Sequence, residues 1–259
     1  MNGAVPEPSA SSSSLALHVE ESGRGEPLLL MPGFSEGIPD LGEIHPELAK
    51  DYRVLAVALP GSGRSTPIPR AYTKGFYEDD AQTMANLLDE RGIRSARIAG
   101  FSDGGEVALL LAVRRPDLVR AVVAWGASGV IPGTVGPMLD VMERVVDDPP
   151  ERMAGWSAHL VAQYGRDNAR ETLRSWTAAV RGLLQAGGDI SFGSANQIRC
   201  PTLLVVGDRD TGNPADGVRA LAARIPLAEV TVVEGAGHPV HRQRSDWFVP
   251  KVKGWLAAH

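Results

Sequence analysis

Three residue types in a fixed order carry the chemistry open to this chain: a serine, an acid and a histidine. Ser102 lies in Gly100-Phe101-Ser102-Asp103-Gly104-Gly105, after an apolar run with strand character and before an apolar stretch with helical period. A strand that turns straight into a helix leaves little room, so the residues two before and two after the serine must be small, and Gly100 and Gly104 are. The serine hydroxyl then projects above the strand end. It is a weak nucleophile until a base takes its proton, and an imidazole oriented by a carboxylate is the usual base. Downstream, Leu203-Leu204-Val205-Val206-Gly207-Asp208-Arg209-Asp210 is a buried strand running into a loop with two acids. Glu234-Gly235-Ala236-Gly237-His238 then ends a strand with a glycine-rich turn and a histidine. Ser102 is expected as nucleophile, His238 as base and Asp210, past the turn, as orienter. Asp208, at the strand end, is the second candidate for that last role.

The developing negative charge of an acyl transfer needs backbone N–H donors. One is expected from Asp103, directly after the nucleophile. The other is expected from Phe34 in Met31-Pro32-Gly33-Phe34-Ser35, where Gly33 permits close approach and Pro32 has no N–H to offer. Other histidines compete poorly: His18 precedes the core, His45 and His159 have helical or loop contexts, and His259 is terminal. His241 forms His-x-x-His with His238, but without a nearby Glu or third ligand it reads as a packing or hydrogen-bonding neighbour, and no metal is expected.

Seven apolar runs supply the scaffold: 15–19, 28–31, 54–59, 96–101, 121–125, 202–206 and 230–233. Most are too uniformly apolar for half-exposed strands, so a mainly parallel sheet covered on both faces is expected. Helical periodicity fills 76–91, 105–115, 215–224 and 247–258. Strand and helix in alternation predict a doubly wound α/β fold. From 131 to 198 the alternation stops, with helix-like pieces at 138–146, 151–163 and 169–184. The expected organisation is a disordered, Ser/Pro/Ala-rich tail (1–14), a core (15–130 and 199–259) and a helical lid (131–198), emerging where ligands bind in open α/β sheets.

Composition excludes several classes. The 259 residues suffice for a real core without disulfides or a structural metal, and 43% hydrophobic with 22% charged residues is ordinary for a globular chain. A net charge of −5 gives no cationic field, and the 22 Arg and four Lys are scattered, so neither nucleic acid nor a membrane surface is expected as a partner. No stretch approaches the ~18 apolar residues of a membrane span. The lone Cys200 and the absence of a signal-peptide pattern point to the cytoplasm. A small-molecule substrate is expected, and composition leaves monomer and homodimer both open.

From Leu28 to the C-terminus the chain resembles the α/β-hydrolases. Met31-Pro32-Gly33-Phe34 is similar to their HG-F turn with Pro for His, and Leu59-Pro60-Gly61-Ser62-Gly63-Arg64-Ser65 to their D-x-P-G-x-G-x-S turn, with Ala58 where an Asp is common. Gly100 to Gly105, Trp125-Gly126-Ala127 and Gly237-His238-Pro239-Val240-His241 resemble the valacyclovir hydrolase (biphenyl hydrolase-like) group, as does a lid around Trp156, Tyr164 and Trp176. The resemblance implies a cofactor-free serine esterase cleaving α-amino-acid esters, with Asp103 holding the substrate's ammonium group and Gly33 and Trp156 beside the substrate. The competing reading puts Asp103 in the first turn of a helix, favoured by the macrodipole and satisfied by local N–H groups or Arg64. A thioesterase, lactonase, carbon–carbon hydrolase or perhydrolase would use the same residues, and a receptor on the same scaffold would keep them without turnover. Arg166, Arg170, Arg174 and Arg181 hint at a docking face for an acidic carrier or, at that spacing, at a solvated helix face.

Overall fold

The computed structural model describes residues 14–259, so the expected tail, save Ser14, lies outside the described residues. In chain order the elements are β1 (Val19–Ser22), β2 (Pro27–Met31), α1 (Ile44–Leu48), β3 (Arg53–Val57), α2 (Phe76–Glu90), β4 (Ala96–Phe101), α3 (Asp103–Arg114) and β5 (Val119–Trp125). After them come α4 (Gly136–Arg144), α5 (Ala154–Tyr164), α6 (Arg166–Gln185), β6 (Thr202–Gly207), α7 (Ala215–Ala222), β7 (Ala228–Val233), α8 (Val240–Gln243) and α9 (Ser245–Ala258). The strands form one sheet in the order β1-β3-β2-β4-β5-β6-β7, parallel except for β1, which runs antiparallel to β3.

The apolar runs become strands because both faces of the sheet are covered. In β2, Leu28 and Leu30 pack with α1 and α9, whereas Leu29 and Met31 pack with α2 and α3 on the other face. Each fully buried leucine contributes about 1.5–3 kcal/mol. The edge strands are the exceptions: β7 is mostly half-buried with Val230 exposed, and the first run is displaced as well. The strand is Val19–Ser22 rather than 15–19, and Ala16 makes only an isolated bridge to Thr66. As an edge strand with β3 as its one neighbour, β1 takes the polar sequence Val-Glu-Glu-Ser, half facing solvent, which an apolar-run criterion passes over.

The sheet also explains where a site must form. From β2 the chain moves to β3 on one side, and from β4 it proceeds through β5 and β6 to β7 on the other. The crevice at such a reversal, beyond the carboxyl ends of β2 and β4, is where open α/β sheets bind ligands. Register places those ends level: Met31 opposite Gly100, Phe101 opposite Trp125, Trp125 opposite Val205. The loops carrying Phe34, Ser102 and Asp210 therefore leave the sheet side by side.

Between β5 and β6 the described chain is helical, in α4, α5, α6 and short 3-10 turns. The apolar face of α6 (Ala169, Leu173, Trp176, Val180, Leu183) follows the 3.6-residue period and is buried. The two ends of this insertion are tied together: Ile131 N–H donates to Gly188 C=O (2.7 Å), and the N–H groups of Ile190, Ser191 and Phe192 converge on Gly129 C=O. No helix among the described residues is long and apolar enough to cross a membrane.

Candidate active site

The turn from β4 into α3 is as tight as its glycines suggest. A Cβ on Gly100 would stand 2.1 Å from Gly104 C=O, and one on Gly104 would stand 2.4 Å from Pro32 C=O. Ser102 sits between them with φ of 52°, a left-handed backbone rare for a non-glycine residue. Its N–H donates to Trp125 C=O (2.8 Å), which holds the turn to β5.

The structure brings Ser102, His238 and Asp210 together. His238 Nε2 is 2.9 Å from Ser102 Oγ, and its Nδ1 is 2.7 Å from Asp210 Oδ2. A carboxylate only accepts, so Nδ1 carries the ring proton and Nε2 is free to accept from the serine hydroxyl. Asp210 is buried, and its other oxygen accepts the N–H groups of Gly212 (3.0 Å) and Asn213 (2.9 Å). Asn213 in turn accepts the Ser128 hydroxyl (2.8 Å), and Ser128 N–H donates to Glu106 (2.9 Å). Asp208, the second candidate, is exposed at the strand end, its N–H bonded to Val233 C=O. His241 stays with the packing: its Nδ1 accepts Trp125 Nε1–H (3.0 Å), and burial pushes its pKa down to about 3, so it is neutral. No group of three metal-ligating side chains occurs among the described residues.

Phe34 and Asp103 line the same cavity as Ser102, and among the described residues neither N–H donates to a protein acceptor. Asp103, opening α3, has no intrahelical acceptor for its N–H. The Phe34 loop is firmly held. Gly33 N–H donates to Glu36 Oε2 (3.2 Å), Glu36 N–H to Gly33 C=O (3.2 Å) and Ser35 N–H to Ser62 Oγ (3.0 Å). Gly33, expected against the substrate, does not line the cavity. It lets the loop pass the nucleophile, since a Cβ there would stand 3.2 Å from Ser102 Cβ.

Above these groups lies a cavity of about 420 Å³ between the sheet edge and the insertion. Phe34, Met138, Met142, Trp156, Trp176, Val180 and Ile190 supply its apolar wall, so Trp156 faces it as expected. Its charged groups are divided. Asp103 and Glu106 lie on α3, and Arg209, Arg242 and Glu36 elsewhere on the wall, with Arg242 paired to Glu36 (2.6 Å).

Asp103 is buried and meets no cation. Oδ1 accepts the Tyr77 hydroxyl (2.8 Å), and Oδ2 accepts Trp176 Nε1–H (2.9 Å); Arg64 is not a partner. Burial pushes its carboxyl above the usual range, against those two hydrogen bonds. Glu106, one helical turn on, accepts the N–H groups of Ser128 and Gly129 (both 2.9 Å), and burial raises it to about 7. Trp176 also stacks on Phe34, with ring centroids 4.4 Å apart. Sequence reasoning missed Tyr77, Glu106, Glu36 and the contact of Trp176 with Asp103. Only Glu106 left a signal, an acid inside the apolar stretch Gly105-Glu106-Val107-Ala108-Leu109 that must be buried with partners.

The open sheet, the tight serine turn and the Ser–His–Asp geometry define a hydrolase class, and the chain belongs to the alpha/beta hydrolase family, whose profile it matches over residues 28–251. Within it, the chain is similar to serine hydrolase BPHL of Mus musculus, 26% identical over 93% of this chain and 82% of that protein. A 2-hydroxy-6-oxononadienedioate/2-hydroxy-6-oxononatrienedioate hydrolase of a Pseudomonas species is 27% identical over 93% of this chain and 92% of its own. Among solved structures, the enol-lactonase of Burkholderia xenovorans LB400 shares the fold with a TM-score of 0.77 at 22% identity, covering 94% of this chain and 97% of that one.

Proposed function

We propose that this hydrolase cleaves a carboxylic ester of an α-amino acid through an acyl-enzyme on Ser102. The observation that carries the reading is the hydrogen-bonded line from Ser102 through His238 to Asp210, on the wall of a cavity that Phe34 and Asp103 also line. Ser102 Oγ attacks the ester carbonyl as His238 Nε2 takes its proton. The N–H groups of Phe34 and Asp103 hold the oxyanion, and the imidazolium, stabilised by Asp210, protonates the leaving alcohol. Water, activated by the same imidazole, then releases the acid. The reaction needs no cofactor or metal.

The amine preference rests on Asp103. Its carboxylate is buried beside the nucleophile and hydrogen-bonded only by neutral donors, so a substrate ammonium offset by no other cation would relieve its burial. A charge-assisted contact of about 1.5–3 kcal/mol favours amino esters by about 10- to 150-fold. A dioate, as in the name of the Pseudomonas relative, would meet Arg209 and Arg242 on the same wall, so the amine preference rests on the position of Asp103 beside the nucleophile and not on the wall's overall charge. Docking of an acidic carrier finds little support, because Arg170 and Arg166 pair with Asp147, Arg174 with Glu171, and Arg181 with Asp140 and Glu143. The test is hydrolysis of an α-amino-acid benzyl ester and its N-acetyl form by wild type, Ser102→Ala and Asp103→Asn. The reading predicts no turnover in Ser102→Ala and an amine preference lost in Asp103→Asn. Equal rates on the two esters in the wild type would remove the amine from the reading.

A further inference from the structure

We infer that Tyr164, the last residue of α5, is a positioning residue for the oxyanion hole, so that the insertion and not the sheet alone sets the hole's geometry. This rests on the acyl-transfer reading above. The Tyr164 hydroxyl donates to Ser35 C=O (2.7 Å) and accepts Gly63 N–H (2.8 Å) and Gln163 Nε2–H (2.8 Å). One proton and two lone pairs are all it has, and all are used. Its two backbone partners lie 129 and 101 residues away in sequence, on two different loops beside the nucleophile.

The peptide planes pass this constraint to the reacting centre. Tyr164 fixes the Ser35 C=O, which shares a rigid plane with Glu36 N–H. Glu36 N–H donates to Gly33 C=O (3.2 Å), which shares a plane with Phe34 N–H, the donor assigned to the oxyanion, which has no protein acceptor among the described residues. A turn of the first plane therefore turns the second, and with it the oxyanion donor. Ser35 itself holds a left-handed backbone (φ 60°), which a residue with a side chain keeps only when its surroundings over-determine it. Tyr164 on its carbonyl and Ser62 Oγ on its N–H (3.0 Å) are those surroundings. Tyr164 is buried, and burial pushes its hydroxyl above the usual tyrosine range, so it stays a neutral donor across the working pH.

The experiment compares wild type, Tyr164→Phe, Ser62→Ala, Gln163→Leu and Ser102→Ala on p-nitrophenyl butyrate, with phenylboronic acid as probe of the hole. Ser102 Oγ adds to the boron, its proton passes to His238, and the tetrahedral boronate places an oxygen where the oxyanion sits. Tyr164→Phe is expected to lower kcat about 10- to 100-fold with KM within about threefold. Phenylboronic acid affinity should fall in parallel, while butyrate affinity and the pH profile hold. Ser62→Ala gives the same signature at smaller amplitude and stands in if Tyr164→Phe does not fold. Gln163→Leu, which leaves both loop bonds intact, behaves as wild type. A Tyr164→Phe enzyme with unchanged kcat, or with boronate affinity intact, overturns the inference while the acyl-transfer reading stands. Equal turnover by wild type and Ser102→Ala would overturn both.

Discussion

At the sheet edge the reacting atoms are set by short stretches of chain, whereas the helical insertion acts on them through contacts between residues far apart in sequence. Ser102, Phe34, Asp210 and His238 each follow a strand by a few residues, and the level ends of β2, β4, β5 and β6 bring the first three together. Trp176 and Tyr164 reach the same place from α6 and α5, bonding Asp103 and Ser35 across 73 and 129 residues. Strand register is a rigid device, since a slip of one residue would turn every buried side chain to the opposite face. The insertion is joined to the sheet at 129–131 and 188–192 and otherwise rests on packing and a few hydrogen bonds. On the proposed reading the sheet supplies the triad, while the insertion supports the Phe34 loop through Tyr164 and meets Asp103 through Trp176.

That division can be broken by a pair of substitutions. Asp210→Asn, on the sheet side, removes the orienting carboxylate and should lower kcat about 1000- to 10,000-fold on every ester. Trp176→Phe, on the insertion side, keeps the stacking on Phe34 but withdraws the indole donor from Asp103. It should weaken kcat/KM for an amino ester about 10-fold or less and change an N-acetyl ester little. Equal losses on both esters in Trp176→Phe would mean that the Trp176–Asp103 contact serves the chemistry and not the choice of an amine.

A smaller effect sharpens the same boundary. Glu106 ties α3 to Ser128 and Gly129 at the insertion's first joint, and burial raises its carboxyl to about 7. A raised acid binds its proton more tightly folded than unfolded, so its contribution to stability is present at low pH and is lost as pH rises between about 4.5 and 7. Glu106→Gln keeps an acceptor for both N–H groups without the charge. Urea unfolding should show it gaining about 1–3 kcal/mol relative to wild type between pH 5 and pH 8. A stability difference that does not change with pH would show that Glu106 does not titrate in that window.

The same contrast explains what could be read in advance. Ser102 was legible because glycines at −2 and +2 between an apolar strand and an apolar helix leave one geometry. The ends of β2, β4 and β6 were legible because doubly covered strands are uniformly apolar. Edge strand β1 was misplaced because one-sided pairing permits Val-Glu-Glu-Ser. Asp210 and Asp208 were separated in sequence reasoning only by their distance past the turn, and burial against Gly212 and Asn213 is what distinguishes them. Tyr77 and Trp176 meet Asp103 from elements with no local pattern linking them, so tertiary structure alone reveals the pair. Asp103 does lie in the first turn of α3, as the competing reading expected, but its partners are the Tyr77 and Trp176 side chains and not local N–H groups or Arg64.

The central claim is that Ser102 is the nucleophile, activated by His238. It is tested most directly by intact-mass and peptide mapping after exposure to an alkyl fluorophosphonate, for wild type, Ser102→Ala and His238→Ala. The account predicts one phosphonyl group per wild-type chain, on Ser102, with no adduct in Ser102→Ala and at least about 1000-fold slower labelling in His238→Ala. Labelling at another residue, or at the wild-type rate without His238, would contradict it.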